Sequence, residues 1–339
     1  MMKRLCKFLI VVLALSCLLA GCGSSKGTSS VLAQLAGTTA TNVGPDTGTR
    51  SQPTAPAQQG STPGSVAAAE VPVMPGQLTI KLLDVGHGDC ILLQGDGKTV
   101  LIDTGDASAN DTILQKLREN KVHFIDALII THYHSDHNGG LLTVLRNFGV
   151  GHIYDAGVVN DYSNFVKNMF QEYAEGRWNR TILRRGQRLT LKDGFYFSVL
   201  SPGSQLLPKG KKEYGHYLNN NSLVLKLHYG KFQMLFTGDM EAAAEYQVMG
   251  NYPAADLHVD VLKVAHHGSK TSSTWNWLNT VKPTWGVISC GGDPVKFKHP
   301  DPKVLSTYQY LGIKVVTTKQ NGDLIITTDG KTYNVHGSK

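Results

Sequence analysis

The chain has 339 residues, of which 41% are hydrophobic and 17% charged, and its formal net charge at pH 7 is +7. Three of the positive charges, on Lys3, Arg4 and Lys7, lie at the very start, which leaves the rest of the chain mildly basic. That charge is compatible with a polyanionic substrate, but the charge alone is not evidence for one.

The N-terminus has the pattern of an exported lipoprotein. The positive residues are followed by an apolar run over 8–19, which has the length of a signal-peptide core and is too short to span a membrane. It ends in Leu-Ala-Gly-Cys at 19–22, which resembles the bacterial lipobox. We predict a signal peptide over 1–21 and a lipid anchor on Cys22, which would hold the protein at the extracellular face of the cytoplasmic membrane. The alternative is an uncleaved N-terminal anchor.

A polar segment separates this anchor from the predicted domain. Residues 23–76 are rich in Ser, Thr, Gly, Ala, Pro and Gln and contain few charged residues. Such a composition cannot bury enough apolar surface to offset the entropy of ordering, so we interpret 22–76 as the lipidated cysteine and a flexible linker. The remaining residues, 77–339, are enough for one sizeable globular domain.

The predicted domain contains two cysteines, Cys90 and Cys290. Both lie in apolar, strand-like runs, which favours buried thiols. A disulfide is the alternative in an oxidising compartment, although the sequence does not place the two sulfurs together.

The first half of the domain begins with short β runs and continues with alternating helices and strands. Strands are predicted at 78–84, 90–94, 99–102, 127–131, around Ile182 and at 195–200, and helices at 111–120, 140–147 and 164–174. Gly95-Asp96-Gly97 is a hairpin signal between the second and third strands.

The second half repeats the theme. Strands are predicted at 223–228, 232–237, 259–264, 284–289 and 314–317, helices at 241–248, near 273–280 and after Asp301, and a last hairpin around Asp329-Gly330. A β-rich start in each half, with interleaved helices, predicts two sheets packed together with helices outside.

The densest chemical signal follows the apolar strand 127–131. It contains four metal-ligand residue types within six positions: His132, His134, Asp136 and His137. Imidazole and carboxylate at this density suit Zn, Mn or Fe(II) rather than Ca or Mg. The end of a strand is also where a sheet presents ligands to a cleft. The spacing therefore predicts a metal site rather than histidines scattered on a solvated loop.

This His-x-His-x-Asp-His pattern matches the metal-binding signature of the metallo-β-lactamase superfamily. The rest of the domain resembles more narrowly the hydrolase domain of the ComEC/Rec2 competence family. The similar segments are 84–89 (DVGHGD, with His87 where the family usually has Gln), 101–105 (LIDTG), 219–225 (NNNSLVL), 237–239 (TGD), 262–269 (LKVAHHGS) and His299-Pro300. The resemblance implies an α/β fold, the αββα four-layer sandwich of two mixed β-sheets packed face to face with helices outside.

The resemblance also implies two divalent metal ions, Zn or Mn. His132 and His134 would hold the first, Asp136 and His137 would hold the second, and Asp239 would bridge them.

One residue of the pair His266 and His267 should complete the second site. We favour His266, because it leaves the strand first. His267 would then face the substrate, as a donor to a phosphate oxygen or as a general acid. The predicted catalytic residues are therefore Asp136, Asp239 and His267.

Further side chains are expected around the metals. Asp103 would orient a ligand imidazole from behind. Asp84 and Asp89 would line the site, although Asp beside Gly is also ordinary turn chemistry. His299, in the terminal His-Pro, is expected to bind substrate or to support the site.

The first metal differs from that of the β-lactamases, which supply it with a third histidine. The corresponding stretch here offers asparagines, with His216 slightly upstream. An amide oxygen is a weaker ligand than imidazole, so we expect the first metal to be held less tightly. Asn219, Asn220 and Ser222 could instead hydrogen-bond the substrate or support the site.

Two metals sharing Asp239 would lower the pKa of a shared water, and the metal-bridging hydroxide would attack phosphorus. Phosphodiester hydrolysis of DNA is the leading hypothesis, because the family resemblance implies DNA degradation at the cell surface. The basic stretch 177–188, which includes Trp178, would either track a phosphate backbone or form a solvated face with Trp178 in the core. The sequence leaves oligomeric state open.

Three alternatives stay open. A teichoic-acid or phosphorylcholine-type phosphodiesterase would use the same metals and work with cell-wall machinery. A lactonase or β-lactamase would attack a carbonyl. A non-enzymatic DNA-binding lipoprotein would require a degraded ligand set, whereas all the expected ligands of the second site are present. The competence proteins carry this domain beside a membrane channel that this sequence lacks, so any role in uptake is expected to be external degradation or partnership with competence machinery.

Overall fold

The computed structural model describes residues 76–210, 214–292 and 298–339. Within these residues the chain forms two β-sheets. The strands are β1 (Leu78–Leu82), β2 (Ile91–Gly95), β3 (Lys98–Ile102), β4 (Phe124–Ile130), β5 (Gly149–Asp155), β6 (Arg180–Ile182), β7 (Arg188–Lys192), β8 (Phe195–Ser201), β9 (Val224–Tyr229), β10 (Phe232–Phe236), β11 (Val261–Lys263), β12 (Trp285–Ile288), β13 (Lys314–Thr317), β14 (Leu324–Thr328) and β15 (Tyr333–Gly337).

Helices follow many of these strands. They are α1 (Asn110–Glu119), α2 (Ser135–Asn138), α3 (Leu141–Asn147), α4 (Asn164–Ala174), α5 (Tyr214–Asn220), α6 (Ala242–Asn251), α7 (Ala254–Leu257), α8 (Trp275–Val281), α9 (Pro302–Tyr310) and α10 (Thr318–Asn321). None of the described helices is long and apolar enough to cross a membrane.

Both sheets are mixed. The first has the order β15-β14-β1-β2-β3-β4-β5-β6, with antiparallel neighbours as far as β3 and parallel neighbours from β3 to β6. The second has the order β13-β12-β11-β10-β9-β8-β7, parallel from β13 to β10 and antiparallel beyond. Parallel neighbours bring their carboxyl ends to one edge, so the loops that follow β3, β4, β10, β11 and β12 are the ones that can meet.

The apolar side chains sort into three layers because strand residues alternate between faces. Ile91 and Leu93 of β2 pack in the central core between the sheets, together with Met234 of β10. The intervening Leu92 belongs to an outer core, which also takes residues of α1, α3 and α4. Leu235 of β10 faces a second outer core with residues of α6, α8 and α9. The αββα sandwich predicted from the sequence is therefore confirmed.

Cys90 and Cys290 are both buried free thiols, which confirms that expectation for the described part of the chain. Burial raises the pKa of each thiol, so neither is a ready nucleophile. The predicted signal peptide 1–21, the anchor on Cys22 and nearly all of the linker 22–76 lie outside the described residues.

Candidate metal centre

The histidine cluster is built by the end of β4 and the single turn α2. His132 lies two residues beyond β4, and the backbone N–H of His137 donates to the carbonyl of His134 at 3.0 Å. This turn brings the ring of His137 back to within 4.1 Å of the ring of His132, centroid to centroid. Gly139 allows the close packing, because a Cβ there would lie 2.3 Å from the backbone nitrogen of Ala107.

Asp239 reaches this cluster from the second sheet. It follows β10, after Gly238, where a Cβ would lie 2.9 Å from the Thr131 side chain. Its Oδ1 lies 3.2 Å from His137 Nε2, and its Oδ2 lies 3.9 Å from His132 Nε2. One carboxylate oxygen therefore faces each half of the cluster.

The described residues contain three groups of metal-ligand atoms, each with all its atoms within 4.8 Å of one another. Two of them share Asp239: the first donor group is His132, His134 and Asp239, and the second donor group is Asp136, His137, His267 and Asp239. The third set, Asp89, Asp103 and His137, has only His137 in common with the second donor group. Three buried atoms in the second group, His137 Nε2, His267 Nε2 and Asp239 Oδ1, have no hydrogen-bond partner among the described residues. Buried polar atoms normally have hydrogen-bond partners. Unpartnered nitrogen and oxygen atoms that face one another in this way are suited to bind a divalent cation.

The structure places His266 and His267 in the opposite positions to those expected from the sequence. Both residues adopt left-handed backbone angles, with φ of 51° and 53°, so their rings point in different directions. His267 Nδ1 donates to the carbonyl of Ser289 at 2.9 Å, which leaves the Nε2 lone pair 3.3 Å from Asp136 Oδ2. It is therefore His267 that joins the second group, and the prediction that favoured His266 as its fourth member disagrees with the geometry.

His266 turns the other way. Its Nδ1 lies 3.0 Å from the hydroxyl of Thr271 and 3.3 Å from Glu241 Oε1, and its Nε2 lies 3.8 Å from Asp239 Oδ2. The ring thus stands beside the centre with a carboxylate behind it. This is the place that the sequence assigned to His267.

Asp103 lies directly behind His137. His137 Nδ1 donates to Asp103 Oδ2 at 2.7 Å, and the backbone N–H of Thr131 donates to Asp103 Oδ1 at 2.7 Å. Burial alone would lower the pKa of His137, but the nearby Asp239 and Asp103 carboxylates raise it well above its usual range. A histidine whose Nδ1–H is held in this way presents its Nε2 lone pair to a metal.

Asp89 and Lys263 form a fully buried ion pair. Lys263 Nζ lies 2.7 Å from Asp89 Oδ2, and Asp89 Oδ1 lies 3.8 Å from His267 Nδ1. Burial alone would raise the pKa of Asp89, but the charge of Lys263 outweighs it and the pKa is lowered. The sequence identified Asp89 but missed Lys263, which is the last residue of β11.

Asp84 and His299 lie further out. Asp84 accepts at 3.4 Å from Lys339 Nζ and lines a cavity rather than joining either donor group. The ring of His299 lies 5.6 Å from that of His266, and burial, with the nearby His266, lowers the pKa of His299 to about 4.

The asparagines divide into two kinds. Asn220 is structural, since its amide donates to the carbonyl of His216 and its oxygen accepts from the backbone of Ala244. Asn219 donates to Glu241 Oε1 at 3.0 Å, and its own buried oxygen has no hydrogen-bond partner in the described part of the chain.

Ser222 and Glu241 adjoin the turn of Asp239. The hydroxyl of Ser222 accepts from the backbone N–H of Asp239 at 3.4 Å. Glu241 accepts from Asn219 and also contacts His216. Sequence reasoning missed Glu241, although its place two residues after Asp239 was the available signal.

A cavity of about 710 Å³ opens beside the second donor group. Its lining includes three aspartates, Asp84, Asp106 and Asp136. The other lining residues are Val85, Gly86, His87, Ser108, Ala109, Thr112, Ser135 and Gly292. His87 is the third residue, after Lys263 and Glu241, that sequence reasoning left out of the site, and its Nε2 lies 3.3 Å from Asp136 Oδ2.

The arginine stretch 177–188 is largely occupied by contacts within the chain. Arg180 forms a two-pronged ion pair with Asp155 at 2.6 and 2.7 Å, and Arg184 donates to the carbonyl of Ala156 at 2.7 Å. Arg188 stacks on Tyr196, with 3.8 Å between Cζ and the ring centroid. These intrachain contacts engage three of the five arginines of the stretch, namely Arg180, Arg184 and Arg188.

Comparison with known proteins agrees with this geometry. The model of the metallo-β-lactamase superfamily matches residues 83–292, and the chain belongs to that superfamily. As a member it is a hydrolase by fold, and the fold implies divalent metal ions.

The chain is also similar to competence proteins, as its motifs predicted. It is 30% identical over 272 residues to ComE operon protein 3 of Bacillus subtilis, covering 75% of this chain and 33% of that protein. It is 30% identical over 262 residues to Competence protein ComA of Neisseria gonorrhoeae, covering 77% and 34%. It is 30% identical over 227 residues to Recombination protein 2 of Haemophilus influenzae, covering 65% and 25%. The chain thus spans about a third or less of these relatives.

Proposed function

We propose that this protein is a metal-dependent phosphodiesterase that cleaves DNA at the outer face of the cell membrane. The observation that carries the proposal is Asp239, whose two carboxylate oxygens face two separate donor groups. Paired cations sharing a carboxylate are suited to an in-line displacement at phosphorus. Similarity to competence and recombination proteins favours DNA among phosphodiester substrates.

The proposed ligands are His132, His134 and Asp239 for one cation, and Asp136, His137, His267 and Asp239 for the other. Two divalent cations, when bound, supply an activated water and stabilise negative charge on the phosphodiester. The chain orients the ligands: Asp103 holds Nδ1 of His137, and the carbonyl of Ser289 holds Nδ1 of His267. Both Nε2 atoms are thereby directed inward before any cation arrives.

His266 is the proposed donor to a phosphate oxygen. Its Nδ1 is held between Thr271 and Glu241, and its Nε2 faces Asp239 Oδ2 at 3.8 Å. Because the ring is already fixed, it presents an N–H beside the phosphate with no further loss of rotamer entropy when the substrate binds.

The charge of the centre requires cations. The buried or half-buried charged groups are five carboxylates, from Asp89, Asp103, Asp136, Asp239 and Glu241, and one ammonium, from Lys263. With all five carboxylates ionised these groups carry four net negative charges, which two divalent cations would balance. A phosphodiester anion would then approach a neutral centre rather than a strongly negative one.

The proposal is tested with the purified chain loaded with Mn or Zn and offered single-stranded DNA, double-stranded DNA, bis-p-nitrophenyl phosphate and nitrocefin. We expect cleavage of DNA and of the phosphodiester by the wild type and loss of both in Asp239→Ala. Asp126→Ala is the matched control, because Asp126 pairs with Lys98 away from the centre. DNA left intact under both metals, with wild type and Asp239→Ala alike, contradicts the nuclease proposal, and cleavage of nitrocefin alone would indicate a carbonyl hydrolase.

One observation favours a second candidate, a phosphodiesterase acting on phosphorylcholine-type or teichoic-acid substrates. The cavity beside Asp136 is also lined by Asp84 and Asp106, and carboxylates suit a cationic group such as choline better than a second phosphate. Offering p-nitrophenyl phosphorylcholine beside DNA separates the candidates. Hydrolysis of the choline ester with DNA intact would replace the first proposal by the second.

The location is a separate part of the proposal and depends on Cys22. We expect the wild type, produced in a bacterial host, to incorporate labelled palmitate and to fractionate with membranes, and Cys22→Ala to lose the palmitate label. Unlabelled wild-type protein in the soluble fraction would contradict the anchor and leave the enzymatic proposal standing.

A further inference from the structure

The loop that carries His87 is fixed against the second donor group. Gly86 and Gly88 adopt positive φ angles of 81° and 120°, and the N–H of Asp89 donates to the carbonyl of Asp136 at 3.1 Å. A Cβ on Gly88 would lie 2.3 Å from that carbonyl oxygen. The loop therefore packs directly on the backbone of Asp136, and glycine is required for the close approach.

The imidazole of His87 lies against the carboxylate of Asp136. His87 Nε2 is 3.3 Å from Asp136 Oδ2, and the same oxygen is 3.3 Å from His267 Nε2. The rings of His87 and His267 are 4.6 Å apart. Only 11% of the His87 side chain is exposed, so the ring is held in place by packing.

Asp136 is the member of its group that most needs such support. Its side chain is 20% exposed, whereas those of His137, His267 and Asp239 are 2% exposed or less. Asp136 also lines the cavity of about 710 Å³, into which its carboxylate has room to rotate. A carboxylate oxygen has two lone pairs, so it can accept from an imidazole and still bind a cation.

We propose that His87 is a positioning residue, whose Nε2–H donates to Asp136 Oδ2 and fixes this carboxylate for the second cation. The inference rests on the metal centre proposed above. Its consequence is that His87 sets the affinity of the second cation and leaves that of the first unchanged, since His132 and His134 lie in the other group. Hydrogen-bond partners of metal ligands typically change metal affinity by about 10–100-fold when removed.

The test compares wild type with His87→Leu and His87→Gln by titration of the metal-free chain with Co(II), followed by the visible absorption of bound cobalt, and by calorimetry with Zn. His87→Leu removes the donor, whereas His87→Gln keeps an N–H donor on a side chain of similar reach. His152→Leu is the matched control, because His152 is a partly buried histidine that contacts Thr181 away from the centre. Circular dichroism in EDTA establishes that each variant is folded.

We expect two bound ions in the wild type, His87→Gln and His152→Leu. In His87→Leu the ion held by Asp136, His137 and His267 should bind about 10–100-fold more weakly. The visible spectrum of cobalt at that site should also change. A His87→Leu chain that binds both ions as the wild type does overturns the inference, and so does a His87→Gln chain that behaves like His87→Leu. These readouts measure binding, so DNA left uncut by a wild type that binds two ions counts against the nuclease proposal alone.

Discussion

Replacing Lys263 by Met should destabilise the metal-free protein far more than an ordinary lysine substitution. Lys263 and Asp89 are both about 1% exposed, and their charged atoms lie 2.7 Å apart. Lys263 Nζ also donates to the carbonyl of Val264 at 3.0 Å. Removing the ammonium leaves the carboxylate of Asp89 buried without its counter-charge.

The expected loss follows from that uncompensated charge. Breaking a buried ion pair by removing one partner costs about 3–5 kcal/mol in free energy of unfolding. Removing both charges costs less, so Lys263→Met combined with Asp89→Asn should recover part of the loss. Lys226→Met is the control, because Lys226 is also buried but its Nζ, among the described residues, donates to a backbone carbonyl, of Asp256 at 2.6 Å, rather than to a carboxylate. That change should cost about 1 kcal/mol.

The assay is equilibrium unfolding in guanidinium chloride with EDTA present, followed by circular dichroism at pH 7. The ordering expected for loss of stability is Lys263→Met first, the double variant second and Lys226→Met last. A free energy of unfolding of Lys263→Met within about 1 kcal/mol of that of the wild type would refute this reasoning. A Lys263→Met chain destabilised no more than Lys226→Met would refute it too, because the ammonium would then not compensate the buried carboxylate.

Two further predictions concern stability away from the metals. The buried carboxylate of Glu245 accepts from the backbone N–H groups of Ser273 and Thr274, at 2.5 and 2.9 Å, just before α8. Glu245→Ala should therefore lower the free energy of unfolding by about 1–3 kcal/mol, and Glu245→Gln by less. Equal stability of the wild type and both variants would contradict this. Burial and the neighbouring Lys226 lower the pKa of His228 to about 4, so the folded state disfavours its protonation and stability should fall as pH drops from about 6.5 towards 4. His228→Gln should therefore show a shallower fall in melting temperature over that range, and an unchanged pH dependence would count against it.

Much of the fold was predictable because alternation of apolar residues is strong in the strands. The interval predicted for α4 and for β13 agrees with the structure at both ends. β5 was not predicted, because its sequence, Gly-Val-Gly-His-Ile-Tyr-Asp, lacks an apolar run, and pairing with β4 makes it a strand. No helix was predicted where α5 lies. The structure forms one there, and the side-chain amides of Asn220 and Asn221 donate to the carbonyls of His216 and Tyr217, which satisfies the last turn of the helix.

The metal centre was predictable where ligands are neighbours in sequence and less so where they meet through folding. The spacing of His132 to His137 identified the cluster directly. The roles of His266 and His267 depend on two left-handed residues in succession, which the sequence did not indicate. The contact between His87 and Asp136 joins residues far apart in the chain, and it depends on the packing of the His87 loop against α2.

The central claim is that Asp239 unites two cation sites, and the number of bound ions tests it most directly. The chain is dialysed against Zn or Mn, freed of excess metal, and its metal content is measured by mass spectrometry in the wild type, Asp239→Ala and the control Asp126→Ala. The account predicts two ions in the wild type and in the control. It predicts loss of both in Asp239→Ala, because this carboxylate belongs to both donor groups. A wild-type chain with fewer than two ions, or an Asp239→Ala chain that retains two, would contradict it.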